Sequence, residues 1–388
     1  MKTIFISTGE VSGDLQGALL VEALKKQGEA TGIPLNIVGL GGDRMANAGA
    51  TLLGNTTSIG SVGILESLPF ILPTMKVQKR AKAFLRESPP DVLVLIDYMG
   101  PNIAIGSYVR KYLPQLPIVY YIAPQSWVWS PFASNTQTIA DLSDRLLAIF
   151  PEEARFFAEK GVNVTWVGHP LLDRMETAPS RHQARQALEI SEEATVVTLI
   201  PASRQQEIQS LLPVILEAAV VLQQKFPHLQ FILPLSSPEF SEVIQREIKH
   251  YQLSVRIIRE DTLSAIAASD LALTKSGTVN LELALLNVPQ VVLYRVNPLT
   301  MWLGRRLLNF SVPFISPTNI VLNEAIVPEL LQEQATVPAI VTEAVTLLTN
   351  ERKRTEMLQG YQRVRETLGE VGVRDRAAKE IFSVLSCN

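Results

Sequence analysis

Short apolar runs recur along the chain, separated by longer stretches with apolar residues at helical spacing. In the first half, Thr3–Ser7, Asn36–Leu40, Asp91–Ile96, Ile118–Ile122, Arg145–Phe150 and Asn163–Val167 read as strands. In the second half, Thr195–Ile200, Gln230–Pro234, Ser254–Ile258, Asp270–Thr274 and Gln290–Tyr294 do so. Runs such as VLVLI and VVTLI are apolar without alternation, as in strands buried on both faces. Helical patterns intervene, among them Leu15–Gln27, Val77–Glu87, Ile208–Lys225 and Val279–Leu286. This alternation predicts an α/β protein built on parallel sheets with helices on both faces.

The alternation runs, pauses at Gly168–Arg185, and restarts. The pattern predicts two doubly wound, Rossmann-like domains facing a cleft, over residues 1–172 and 173–345. Helices over 346–388 follow and, by analogy with other two-domain folds, cross back to the first domain. A length of 388 residues suits two domains, and 47% hydrophobic content gives each a core. A net charge of −3 argues against nucleic acid as a partner. The single cysteine, Cys387, leaves no disulfide framework and suits a reducing cytoplasm. His169, His182, His228 and His250 lack metal-ligand spacing, so no metal is expected; nor is any cofactor. The N-terminal apolar stretch is too short for a signal peptide, and no uncharged run reaches the length of a membrane span.

In doubly wound sheets the residues just after each strand form the site. "GEVSGDLQGA" (Gly9–Ala18) follows the first strand and reads either as a structural turn or as a ligand loop. It is not a GxGxxG fingerprint, which disfavours a dehydrogenase. Asp97 ends the strand before "IDYMGPN" and is a candidate general base or a helix cap. "YYIAPQSWVWS" carries two tryptophans, for packing or for a sugar or lipid platform. In the second half, Ser203 and Arg204 of "LIPASRQQEI" precede a helix, as do Ser276, Gly277 and Thr278 of "LTKSGTVNLELAL". Two such anion-type turns, without a GKT/S phosphate loop, point to a nucleotide diphosphate held without a metal. Glu282 reads as a ribose ligand or a surface acid. The segment Ser61–Phe84, apolar and then basic, contains Leu68, Phe70, Ile71 and Leu72. Leu299–Phe310 contains Trp302, Arg305 and Arg306. Each is a core-facing helix or part of a membrane-surface patch.

These elements, in order from Ile4 to Glu333, resemble the lipid-A-disaccharide synthase family. The matching stretches include "GEVSGDLQGA", "PDVLVLID…N", "YYIAPQSWVW", "FPEE…VGHP", "PASR…E", "ASDLALTKSGTVNLE" and "ISPTNIV…VPELLQE". The resemblance implies a GT-B glycosyltransferase that joins UDP-2,3-diacylglucosamine to 2,3-diacylglucosamine 1-phosphate through a β-1,6 bond, releasing UDP. It implies Asp97 as base and Ser203, Arg204 and Ser276–Thr278 on the diphosphate. Glu282 and Asn319 would hold the donor; Glu10, Ser12, Gly13, Asp14 and Asn102 would line the acceptor side. It further implies a peripheral enzyme on the inner face of the cytoplasmic membrane, with a homodimer left open. The chain departs from the usual pattern at Gly100, Ala202, Lys275 and Ser130–Pro131–Phe132. The rival reading is a UDP-N-acetylglucosamine 2-epimerase, which shares the architecture but has no lipid acceptor. Its chemistry would favour cleft histidines, and His169 at the linker reads more readily as structural.

Overall fold

The computed structural model describes residues 1–57, 71–128, 133–201, 205–296 and 312–386. They form two compact units, one of Met1–Asp173 with Leu368–Asn388, the other of Arg174–Thr367.

The first unit holds strands β1 (Lys2–Ser7), β2 (Leu35–Gly41), β3 (Thr51–Asn55), β4 (Val92–Ile96), β5 (Ile118–Tyr121), β6 (Arg145–Ala148) and β7 (Val164–Trp166). They lie in the order β3-β2-β1-β4-β5-β6-β7, each pair parallel. Its helices are α1 (Glu10–Thr31), α2 (Asp43–Asn47), α3 (Ile71–Glu87), α4 (Met99–Tyr112), α5 (Ala133–Leu142) and α6 (Pro151–Ala158). Ile4, Phe5, Ile6 and all of Val92–Ile96 are fully buried, so the central strands touch apolar side chains on both faces.

The first helix starts earlier than its sequence pattern predicts. "GEVSGD" is not a loop, because α1 begins at Glu10, directly after Gly9. The glycines serve close packing. A Cβ on Gly13 would stand 2.1 Å from Thr8 Oγ1, and one on Gly17 would stand 2.5 Å from Met45 Sδ. A side chain at either position would have to displace that of Thr8 or Met45.

The second unit begins within α7 (Leu171–Met175) and continues with α8 (Arg181–Ala187). Its strands are β8 (Val196–Ile200), β9 (Gln230–Pro234), β10 (Val255–Ile258), β11 (Leu271–Lys275), β12 (Gln290–Tyr294) and β13 (Glu329–Leu331). They form a second parallel sheet in the order β10-β9-β8-β11-β12-β13. The helices are α9 (Gln205–Lys225), α10 (Ser241–His250), α11 (Thr262–Ala267), α12 (Val279–Leu285), α13 (Pro317–Leu322), α14 (Val337–Thr349) and α15 (Glu351–Leu368). At the amino ends of β8 and β11, fully buried Arg185 pairs with Asp270 at 2.8 Å and donates to the carbonyls of Ser191, Glu192, Ala194 and Ala268. Asp270 also accepts from Val196 N at 2.8 Å. A buried pair is tolerated when its remaining hydrogen-bonding capacity is met, as it is here.

The last helix, α16 (Val373–Ser386), belongs to the first unit and packs on α1. Asp173 closes that connection: its carboxylate accepts from the backbone N–H groups of Gly372, Val373 and Arg374 at 2.6, 3.0 and 3.0 Å. These are orphan donors at a helix start, and the acid satisfies them across the whole intervening unit of sequence. Replacing Asp173 by Ala leaves three donors without their partner. We expect a loss of roughly 1–3 kcal/mol of first-unit stability in urea unfolding, with Asp173→Asn milder. A midpoint unchanged by Asp173→Ala would show that the clasp is dispensable.

Candidate active site

In an open parallel sheet, ligands bind beyond the carboxyl ends of the strands, where the strand order reverses. In the first sheet that point lies between β1 and β4, paired with Ser7 beside Leu95. Four non-glycine residues around it have left-handed backbone: Glu10 (φ 60°), Asp97 (φ 46°), Tyr98 (φ 50°) and Ile122 (φ 57°). Such backbone costs roughly 1–3 kcal/mol per residue and persists where the surroundings over-determine it.

Asn102, in the first turn of α4, supplies much of that determination. Its Nδ2 donates to the carbonyls of Ser7, Ile96 and Asp97 at 3.3, 3.0 and 2.7 Å. Its Oδ1 accepts from Ser7 Oγ at 2.7 Å. The Tyr120 hydroxyl donates to Asp97 O at 3.0 Å, and Asp97 N donates to Ile122 O at 3.0 Å. Tyr98 lies against Gly9, where a Cβ would stand 2.4 Å from the ring. Its hydroxyl bonds the side chain of Thr74 on α3.

This frame holds the Asp97 carboxyl group open to solvent yet crowded by protein. Its pKa is raised to about 6, first by desolvation, then by the nearby charge of Glu10, against the Tyr98 N–H that stabilises the anion. A base titrating there is ionised at neutral pH and still basic enough to take a proton. Glu153, at the start of α6, is fully buried; its Oε2 accepts from Ile149 N and Phe150 N at 2.7 and 3.3 Å. Desolvation pushes its pKa up to about 8. His169 is buried, driven down to about 4 by desolvation, and its Nδ1 accepts from Leu171 N. It is a neutral structural histidine, its ring tilted against that of Phe150 at 5.1 Å, and Phe150 in turn meets Trp127 at 5.7 Å.

The other acceptor-side residues divide. Glu10 is half-buried and Ser12 exposed, both with side chains at the surface of the helix start. Gly13 is buried against Thr8. Asp14 accepts from Gly42 N, Arg44 N and Met45 N at 2.7, 3.1 and 3.1 Å, which ties the start of α2 to α1. Asp14 and Asn102 thus shape the site from beneath.

In the second sheet the order reverses between β8 and β11. Ser276, Gly277 and Thr278 lie just past β11 and open α12. The turn is locked by Asn280, a fully buried residue that the sequence reading passed over. Its Oδ1 accepts from Gly277 N at 2.8 Å; its Nδ2 donates to Lys275 O and Gln290 Oε1, both at 3.0 Å. Gln290 in turn donates to Asn280 O and to the Tyr361 hydroxyl. Ser276 Oγ donates to Ile315 O at 2.9 Å, while Thr278 is exposed. Glu282 pairs with Arg174; desolvation raises its pKa and the arginine opposes the rise. Asn319 has its whole amide engaged: Nδ2 donates to Val327 O and Glu329 Oε1, and Oδ1 accepts from Ile326 N and Val327 N. Glu329 holds Ile315 N and Ser316 N at 2.9 and 2.8 Å, so Asn319 supports the segment against which Ser276 rests.

Ser203, Arg204, Leu68, Phe70, Trp302, Arg305 and Arg306 lie outside the described residues, as does the side chain of Ile71. Leu72 is 70% exposed on α3. Among the described residues no His, Cys, Asp or Glu cluster has metal-binding geometry, and no helix is long and apolar enough to cross a membrane.

Two Rossmann-like units, each with polar residues gathered at the reversal of strand order, have the α/β architecture of the GT-B type. The family description "Lipid-A-disaccharide synthetase" matches residues 4–382. A lipid-A-disaccharide synthase of Gloeothece citriformis is 57% identical over 379 residues, 98% of this chain and 99% of the relative. One from a Synechocystis species is 57% identical over 381 residues, 98% and 97% of the two chains. The chain belongs to the lipid-A-disaccharide synthetase family and is a hexosyltransferase. Among solved structures, Staphylococcus aureus MnaA with UDP aligns with a TM-score of 0.67 at 17% identity, covering 100% of this chain and 98% of that one. A Neisseria meningitidis UDP-N-acetylglucosamine 2-epimerase bound to UDP-N-acetylglucosamine aligns with a TM-score of 0.62 at 14% identity, over 100% of each chain. At such identities the likeness to the epimerase speaks for the fold alone.

The charge coupling at the first strand reversal is directly measurable. Carbon-13 NMR titration of the Asp97 carboxyl group should give a midpoint near 6. Glu10→Gln removes a neighbouring negative charge, so the midpoint should move to lower pH. A midpoint unmoved by that change would show that Glu10 does not act on Asp97.

Proposed function

We propose that the chain transfers diacylglucosamine from UDP-2,3-diacylglucosamine to the 6-hydroxyl of 2,3-diacylglucosamine 1-phosphate. The observation that carries this reading is Asp97, a solvent-accessible carboxylate at the first strand reversal with its pKa raised to about 6, in a chain that matches the family almost end to end. The acceptor hydroxyl gives its proton to the Asp97 carboxylate. Its oxygen attacks the anomeric carbon from the face opposite UDP, the bond from that carbon to the β-phosphate oxygen breaks, and the configuration inverts from α to β. The charge that develops on UDP is met in the second unit by Ser203, Arg204 and the Ser276–Thr278 turn. Glu282 takes ribose hydroxyls, and Asn319 supports the turn. Glu10 and Ser12 meet the acceptor.

Incubation with both acylated sugars should yield the disaccharide and UDP. Asp97→Asn keeps the side-chain shape and removes basicity, so kcat should fall by ~10²–10⁴-fold with the circular dichroism spectrum unchanged. A rate within a few-fold of the unaltered protein would remove Asp97 from this role.

Both substrates carry acyl chains, and the protein is read as peripheral on the inner face of the cytoplasmic membrane. Leu72 and Met75, 70% and 61% exposed, stand on α3 beside exposed Lys76, Lys79 and Arg80. Apolar side chains flanked by cations suit an anionic bilayer surface. Thr74, between them in sequence, bonds Tyr98, which adjoins the base. Sedimentation with anionic vesicles should fall when Leu72 and Met75 are both changed to Ser, and should weaken in high salt. Because both residues are exposed, the variant should fold normally. Unchanged vesicle binding would place the lipid contact elsewhere.

A further inference from the structure

Lys275 is the residue with which β11 ends, at the reversal of strand order in the second sheet. Leu271 to Thr274 before it are buried, and Lys275 is the first half-buried position. A lysine there must carry its ammonium group out along the carboxyl edge of the sheet. That group stands 3.6 Å from Glu207 Oε2, in the first turn of α9. It also stands 3.0 Å from the point where a Cβ on Gly277 would lie. The cation therefore lies over the Ser276–Gly277–Thr278 turn, beside the start of the helix that follows β8. In the first sheet the position just past the corresponding strand is occupied by Asp97, so the two strand reversals carry opposite charge.

We infer that Lys275 binds a diphosphate oxygen of the nucleotide donor and neutralises the departing nucleoside diphosphate, with Glu207 positioning its ammonium group. The inference rests on the reading that the second unit holds the donor. A compact ammonium is a point charge suited to phosphate oxygens. Its 3.6 Å separation from Glu207 exceeds the ~2.7–2.9 Å of a direct charge-assisted hydrogen bond.

The test compares UDP with uridine, which lacks the phosphates, by titrating the full-length protein and its Lys275→Met and Lys275→Arg variants. Calorimetry reads the affinity for UDP, and NMR reads that for uridine. Lys275→Met should weaken UDP binding roughly 10–100-fold and leave uridine binding within about twofold, as for loss of one charge-assisted contact. Lys275→Arg should restore most of the UDP affinity. Equal UDP affinity in Lys275→Met and the unaltered protein overturns the inference alone and leaves Lys275 as a partner of Glu207. A parallel loss for UDP and uridine also overturns it, because the effect is then structural. An unaltered protein that binds neither ligand removes the donor-site reading, and the inference with it.

Discussion

A parallel sheet covered on both faces admits almost no polarity along its strands. Every polar side chain that acts on a ligand must therefore come from a strand end or from the helix that follows. This constraint governs both units. VLVLI is fully buried, and Asp97 is the next residue; Leu271 to Thr274 are buried, and Lys275 comes next. Desolvation by the sheet and its helices is also the largest cause of the raised Asp97 pKa. The burial that builds the fold thus also raises the pKa of the Asp97 carboxyl group. The left-handed backbone at Glu10, Asp97, Tyr98 and Ile122 is the local cost of turning sharply out of such strands.

That cost is offset by buried amides. Asn102 ties the ends of β1 and β4 to the start of α4, and Asn280 ties the end of β11 to the start of α12. Each lies in the first turn of the helix after its strand, where a short amide reaches back to the carbonyls at the strand end. An amide can both donate and accept, so one side chain satisfies groups of both kinds. Asn319 does the same for the segment from Ile326 to Glu329. Rigid support from beneath leaves the reacting groups above to be positioned without loop flexibility.

The central strands and Asp97 were legible because apolar runs and the first polar residue after them are local signals. β3 and β13 were not, because their apolar stretches are too short to stand out. TLLGN has exposed ends and a glycine, and ELL is only a short ladder beside β12. The start of α1 was misread because glycine usually signals a turn, whereas here Thr8 and Met45 occupy the space of the missing Cβ atoms. The structural roles of Asp14, Asn102 and Asn280 depend wholly or partly on distant partners: Asp14 on Gly42 to Met45, Asn102 on Ser7, and Asn280 on Gln290 and, through it, Tyr361. Nothing in the neighbouring sequence announces them.

The return of α16 to the first unit sets an order for biosynthesis. As the nascent chain leaves the ribosome, residues 1–173 emerge before the second unit, yet the face of α1 on which α16 packs stays uncovered until Val373–Ser386 follows. The second unit, a single continuous stretch, has all of its residues out earlier. The part of the protein that starts first is therefore finished last. A chain cut short before Val373 would spare the second unit and leave the first with an open apolar seam, prone to capture by chaperones or to aggregation.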